Sequence, residues 1–208
     1  MERKVLAAFL LMGLVAAMAG AGLYAYLVDT ETSTGNTFSA SSGFDLKTMD
    51  WDETEWKDGV ALTWTATDMK PGDEFLFPGK WVSLSWTGPL TPSSLEVTCD
   101  YSVIEESPQT EADTDPNTNL NPDKMAKKMI IKSMKYNGVE YVDAITDFDN
   151  DGKKTFYDLK NSPLTGLPIP EQTNSGTYFR LQVKFSEDAG NDFQGDTFNL
   201  TMIFTLKQ

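Results

Sequence analysis

The chain contains no histidine. That excludes Ser-His-Asp triads, His-x-x-x-His zinc sites and the commonest general base near neutral pH. It has a single cysteine, Cys99, so no internal disulfide can form. Cys99 falls in phase with Leu95, Val97, Tyr101 and Val103 and reads as a small buried hydrophobe rather than a reactive thiol. Positive charge is scarce, with 17 Lys and Arg against 31 Asp and Glu and a net charge of -14. A body this acidic repels phosphate, which argues against nucleic acid as a partner, and favours divalent cations, basic partners or a salty exterior. The length of 208 residues accommodates a leader and one substantial domain.

The one long run without charge lies at the start. Arg3-Lys4 precedes an uncharged stretch from Val5 to Val28, ended by Asp29 and Glu31. A basic segment before an apolar core predicts an export signal over residues 1–25, although a run of this length could also span a bilayer as a retained anchor. Ala19-Gly20-Ala21 fits the small-x-small rule for processing, and Ala25 offers a second cleavage site. Either outcome puts the acidic domain outside the cytoplasm.

Residues 29–36 are polar and threonine-rich, which predicts an extended arm over 26–43 ahead of a domain over 44–208 that opens on a strand at Phe44-Asp45-Leu46. Residues 47–58 read as an acidic loop in which Trp51 and Trp56 anchor the core edge or, alternatively, form a carbohydrate platform. Val60, Leu62, Trp64 and Ala66 alternate with smaller residues, the period-two signature of a strand with one buried face. Pro71-Gly72 and Pro78-Gly79 predict turns. Further alternating runs follow at Val82 to Trp86, Leu95 to Val103, Phe179 to Phe185 and Phe198 to Leu206. Asn137-Gly138 between Tyr136 and Val139 is a strong hairpin signal. Glu105 to Asp123 carries acids and prolines and no base, predicting a long exposed loop. The expected fold is all-β, a jelly-roll-like sandwich of two sheets with long acidic loop insertions.

The stretch that specifies a chemistry is Asp147 to Asp158. Acidic oxygens fall at its positions 1, 3, 5 and 12, with Gly152 at position 6, the spacing of a calcium-wrapping loop. In that reading Asp147, Asp149 and Asp151 supply side-chain oxygens, Lys153 its backbone carbonyl, Thr155 a ligand directly or through water, and Asp158 the closing carboxylate. The expected cofactor is Ca2+, which would stiffen the loop rather than open a sensor. The alternative is an acidic turn shaped by hairpin chemistry alone. Asn199-Leu200-Thr201 fits a glycan acceptor, placed within the final strand, where modification needs an outward face.

The leader junction Ala25 to Phe38, the turn Met69-Lys70-Pro71-Gly72-Asp73 and the segment Ala189 to Thr197 together resemble the TasA/camelysin family of exported proteins, with archaeal members closer than the simplest bacterial ones. The resemblance implies cleavage after Ala25 by signal peptidase and a jelly-roll subunit that polymerises head to tail into an extracellular filament or pilus, with lateral bundling of filaments. It implies that the arm, through Tyr26, Leu27, Val28 and Phe38, completes the sheet of the next copy. This donor-strand complementation agrees with the physical need to cover open sheet edges. Camelysin's description as a surface metallopeptidase raises a third role, at odds with the missing histidines; no enzyme activity is expected. The competing class is a monomeric, membrane-anchored, calcium-dependent surface adhesion module.

Overall fold

The computed structural model describes residues 29–32, 44–58, 64–67, 69–105, 117–193 and 195–208. They build two antiparallel sheets packed face to face. The first contains β1 (Asp29–Thr32), β3 (Trp64–Ala66), β5 (Ser94–Ile104), β8 (Leu164–Leu167) and β10 (Thr197–Lys207). Its order is β1-β10-β5-β8, with β3 also on β10. The second runs β2 (Asp45–Asp50), β4 (Glu74–Thr87), β9 (Thr177–Phe185), β6 (Met129–Tyr136) and β7 (Val139–Glu140), in the order β2-β4-β9-β6-β7. Two short helices, α1 (Pro122–Ala126) and α2 (Phe156–Asn161), close one side. The all-β sandwich expected from the alternation is the fold observed.

Alternation sets which side chains meet. Leu95, Val97, Cys99, Tyr101 and Val103 of β5 lie against Phe198, Leu200, Met202, Phe204 and Leu206 of β10 in the buried layer. Phe179, Leu181, Val183 and Phe185 of β9 face them from the other sheet. Phe179 and Phe204 join the sheets edge to face, ring centroids 5.0 Å apart. Each such side chain contributes about 1.5–3 kcal/mol by leaving water. Cys99 is buried and its thiol donates to the Phe156 carbonyl, the role its phase predicts. Burial pushes its ionisation well above the ordinary thiol range, so it is no nucleophile.

Three expectations change. Pro78-Gly79 does not turn the chain: β4 continues through it, pairing with β9 at Phe77↔Leu181 before and Val82↔Phe179 after, with a register shift between. Pairing to one long partner on both sides converts a local turn signal into a bulge, a place in a sheet that tolerates proline. The loop expected over 47–58 begins later, because Lys47 to Asp50 extend β2 along β4. The loop expected over 105–123 ends in order, with a helical turn at Thr118–Leu120 and then α1, whose Pro122 stands in its first turn, where a missing N–H is harmless. The hairpin at Asn137-Gly138 is as read, with φ of 50° and 76°, the left-handed pair a two-residue turn requires.

Asp50 ends β2 almost fully buried, one oxygen accepting the Trp51 N–H at 2.7 Å and the other unpartnered. Burial raises its pKa, so the folded state holds this proton more tightly than the unfolded chain. The resulting stabilisation is complete below the unfolded pKa and is lost as pH rises through the folded one. Asp50→Asn is therefore expected to gain on the wild type steadily between pH 3 and pH 7, measured as the difference in urea unfolding free energy at each pH.

Candidate metal centre

The acidic loop joins β7 to α2 and is held by its own backbone. Asn150 and Gly152 adopt left-handed φ of 59° and 81°, which curls the loop back on itself. Asp147 Oδ1 accepts the Asp151 N–H at 3.1 Å, and its Oδ2 accepts the Gly152 N–H at 2.9 Å. Asp151 Oδ1 accepts the Lys153 N–H at 2.8 Å. The curl brings one oxygen each of Asp147, Asp149 and Asp151 within 4.8 Å of one another, on the half-exposed to exposed side of the loop.

The side chains at the remaining predicted positions make contacts outside that cluster. Asp158 is fully buried and stands outside the three-oxygen cluster. Its Oδ1 accepts the Phe148 N–H at 2.8 Å, and its Oδ2 accepts the Thr155 N–H and hydroxyl at 2.8 and 2.7 Å. The Thr155 hydroxyl in turn accepts the Asp158 N–H at 3.3 Å. This is a capping box at the start of α2, which satisfies donors the helix cannot. Asp158 therefore ties the two ends of the loop together from behind. Lys153 sends its ammonium to Asp188 at 3.1 Å. The Ser186 hydroxyl, first, and then Lys153 hold the Asp188 carboxyl below its ordinary range.

Sequence reading missed Lys127, just after α1. Its ammonium lies 2.9 Å from Asp149 Oδ2 and 4.2 Å from the centre of the Tyr157 ring, and Tyr157 packs edge to face on Phe148. The bond to Asp149 raises the Lys127 pKa. The Ala126-Lys127-Lys128 triplet is visible in the sequence, yet nothing there says that one of these lysines crosses to the acidic loop.

The donor set decides which ions fit. Zinc sites draw on imidazole and thiolate; the chain has no histidine and its one cysteine is buried. Three carboxylates on a curled loop suit a hard cation such as Ca2+, and an ammonium already stands against one of them. Lys127→Gln removes that competing charge. It is expected to tighten calcium binding about 1.5- to 5-fold, the span of an exposed ion pair, whereas Asp149→Asn weakens it, both read by calorimetric titration.

Of the other predicted positions, Asn199 lies mid-strand in β10 opposite Ser102 and Thr65, accepting the Thr65 hydroxyl at 3.0 Å. Trp51 is exposed, while Trp56 is half-buried and sits so close over Gly176 that a Cβ there would fall 2.4 Å from the indole. Ala25, Tyr26, Leu27, Val28 and Phe38 lie outside the described residues, as does residue 106–116 of the acidic insertion. No helix among the described residues is long and apolar enough to cross a membrane.

Compared with known families, residues 1–208 match the family model described as camelysin metallo-endopeptidase. No curated protein matches the chain.

Proposed function

We propose, for a chain that belongs to the camelysin metallo-endopeptidase family over its whole length, a structural rather than a catalytic role. It is a secreted subunit that polymerises head to tail into an extracellular filament, each copy lending its N-terminal arm to the next, with a calcium ion steadying the Asp147–Asp158 loop.

The observation that carries this reading is how β10 is covered on its outer side, among the described residues by two short strands only. Along its full length β10 pairs on one side with β5. On the other side β3 covers Phe198 to Leu200, and β1 covers Ile203 to Leu206 with only four residues. A strand this short adds little stability of its own, and its departure would leave N–H and C=O groups of a central core strand open to another chain. The pairing of Asp29–Thr32 in cis is a template for the same pairing in trans, the economy of domain swapping. Such strand addition draws affinity from the main chain and specificity from alternate side chains.

The family's description also names a peptidase. Against that activity stands the absence of histidine, which removes the usual zinc ligands and general base. Electron microscopy and intact-mass analysis of surface material test the structural role. Filaments whose subunit begins at Tyr26 are expected. A monomeric protein that retains residues 1–25 would indicate an anchored adhesion module, and peptide hydrolysis abolished by chelation would indicate the peptidase.

A further inference from the structure

The outer face of the second sheet carries a feature outside both β1 and the acidic loop. Trp81, next to the β4 bulge, and Tyr178 of β9 are both exposed and meet edge to face, with ring centroids 5.5 Å apart and planes at 61°. Beside them Lys135 of β6 and Arg180 of β9 stand directly opposite each other in the strand register, and both are exposed. With Gly138 these four side chains line an open cleft of about 310 Å³, at the lower end of the size range of small-ligand sites.

Like charges directly opposite on neighbouring strands destabilise a sheet. Neither cation has an ion pair among the described residues. Glu140, across from Lys135 on β7, instead turns its carboxylate to the Ser133 hydroxyl at 2.5 Å and the Met134 and Val142 amides at 2.6 and 3.3 Å. Arg3 and Arg180 are the only arginines in a chain of net charge -14. A pair of cations without an ion pair among the described residues, Lys135 meeting the Glu140 charge only through space, is thus set beside an aromatic corner in an otherwise acidic molecule.

A ligand that relieves this arrangement brings a carboxylate for the cations and an apolar, non-planar ring face for the corner. Rings inclined at 61° leave no slot in which a flat base stacks parallel to both. A nucleic acid would also bring dense phosphate charge, which the body of the protein repels. A run of acidic residues satisfies the cations but brings the two aromatic rings little apolar face to hold. A sugar acid meets both needs: its C–H face packs on the rings, and its single carboxylate is gripped by the guanidinium fork. Salt screening beyond about 8–10 Å lets the local cations prevail over the distant acids.

We propose that Trp81, Tyr178, Lys135 and Arg180 form a binding surface for an acidic polysaccharide, seating a uronate ring against the two aromatic side chains with its carboxylate on the two cations. This surface is separate from the β10 edge and the acidic loop. Calorimetric titration of the full chain with a trimer of galacturonate tests it, with a neutral galactose trimer and poly-glutamate as controls. Salt-sensitive binding of the galacturonate trimer is expected, at least tenfold tighter than the neutral trimer. Trp81→Ala and Arg180→Gln should each weaken it at least tenfold without changing the melting temperature. The proposal fails if the galacturonate trimer does not bind, if the neutral trimer binds equally, or if both variants keep wild-type affinity. Binding of poly-glutamate that Trp81→Ala leaves intact would instead identify an acidic protein as the occupant.

Discussion

Deleting residues 26–38 is expected to abolish filament formation while leaving a folded domain. The deletion takes away β1 (Asp29–Thr32), whose backbone pairs with Ile203 to Leu206 of β10, and leaves β10 fully paired to β5 on its other side. Among the described residues, the sandwich core is built from Phe179, Leu181, Phe198, Phe204 and their neighbours. Losing one short edge strand should lower the unfolding free energy by only about 1–2 kcal/mol, a few backbone hydrogen bonds at about 1 kcal/mol each net of the entropy regained. Its effect on assembly is of another order if, as proposed, that segment is the strand each copy lends to the next. Electron microscopy should show monomers, and circular dichroism an intact β spectrum. Ordinary filaments from the truncated chain would refute donation of the arm.

The largest effect expected from a single substitution lies at Asp158. This carboxylate is fully buried and accepts hydrogen bonds from the Phe148 amide and from the Thr155 amide and hydroxyl. Asp158→Ala leaves these donors facing a void. Loss of the cap contributes about 0.5–2 kcal/mol, and stranding a buried donor about 1–3 kcal/mol. Together they predict a loss of about 2–4 kcal/mol in urea unfolding, a large share of a domain's usual margin. Because Asp158 joins the two ends of the acidic loop, calcium should also bind more weakly. Asp149→Asn separates the two effects: it should weaken calcium binding and leave the stability without calcium nearly unchanged, since its one ion pair among the described residues, with Lys127, is partly exposed, and the change also relieves repulsion from Asp147 and Asp151.

Much of this architecture is legible residue by residue. The alternation from Leu95 to Val103 and from Phe198 to Leu206 reads directly onto β5 and β10, because a strand buried on one face has to alternate. Asn137-Gly138 and Gly152 likewise mark left-handed backbone, since few other residues accept it. Pro78-Gly79 misleads because a bulge and a turn share the same local chemistry. What separates them is β9, a partner about a hundred residues further on, pairing on both sides. Asp158 carries two signals at once. It is the twelfth position of an ion-wrapping loop and the third residue after the helix-capping Thr155, and only packing reveals that one of its oxygens goes to the α2 cap and the other to the Phe148 amide. Lys127 over Asp149 and the aromatic corner beside Arg180 are products of sheet order, which no spacing in the chain encodes.

Strand exchange between copies can be measured chemically. Thr32 pairs with Ile203 in the β1–β10 register, and the one native cysteine is buried out of reach. Two variants, Thr32→Cys and Ile203→Cys, are prepared separately, mixed and allowed to assemble under mild oxidation. Cβ atoms of directly opposed residues in an antiparallel pair lie about 4.5–5.5 Å apart, close enough for a disulfide with a small backbone adjustment. A covalent dimer containing one chain of each variant is the predicted product. If the mixture yields none, while a chain carrying both substitutions closes the bridge within itself, then each copy completes its own sheet and the assembly has no donated strand.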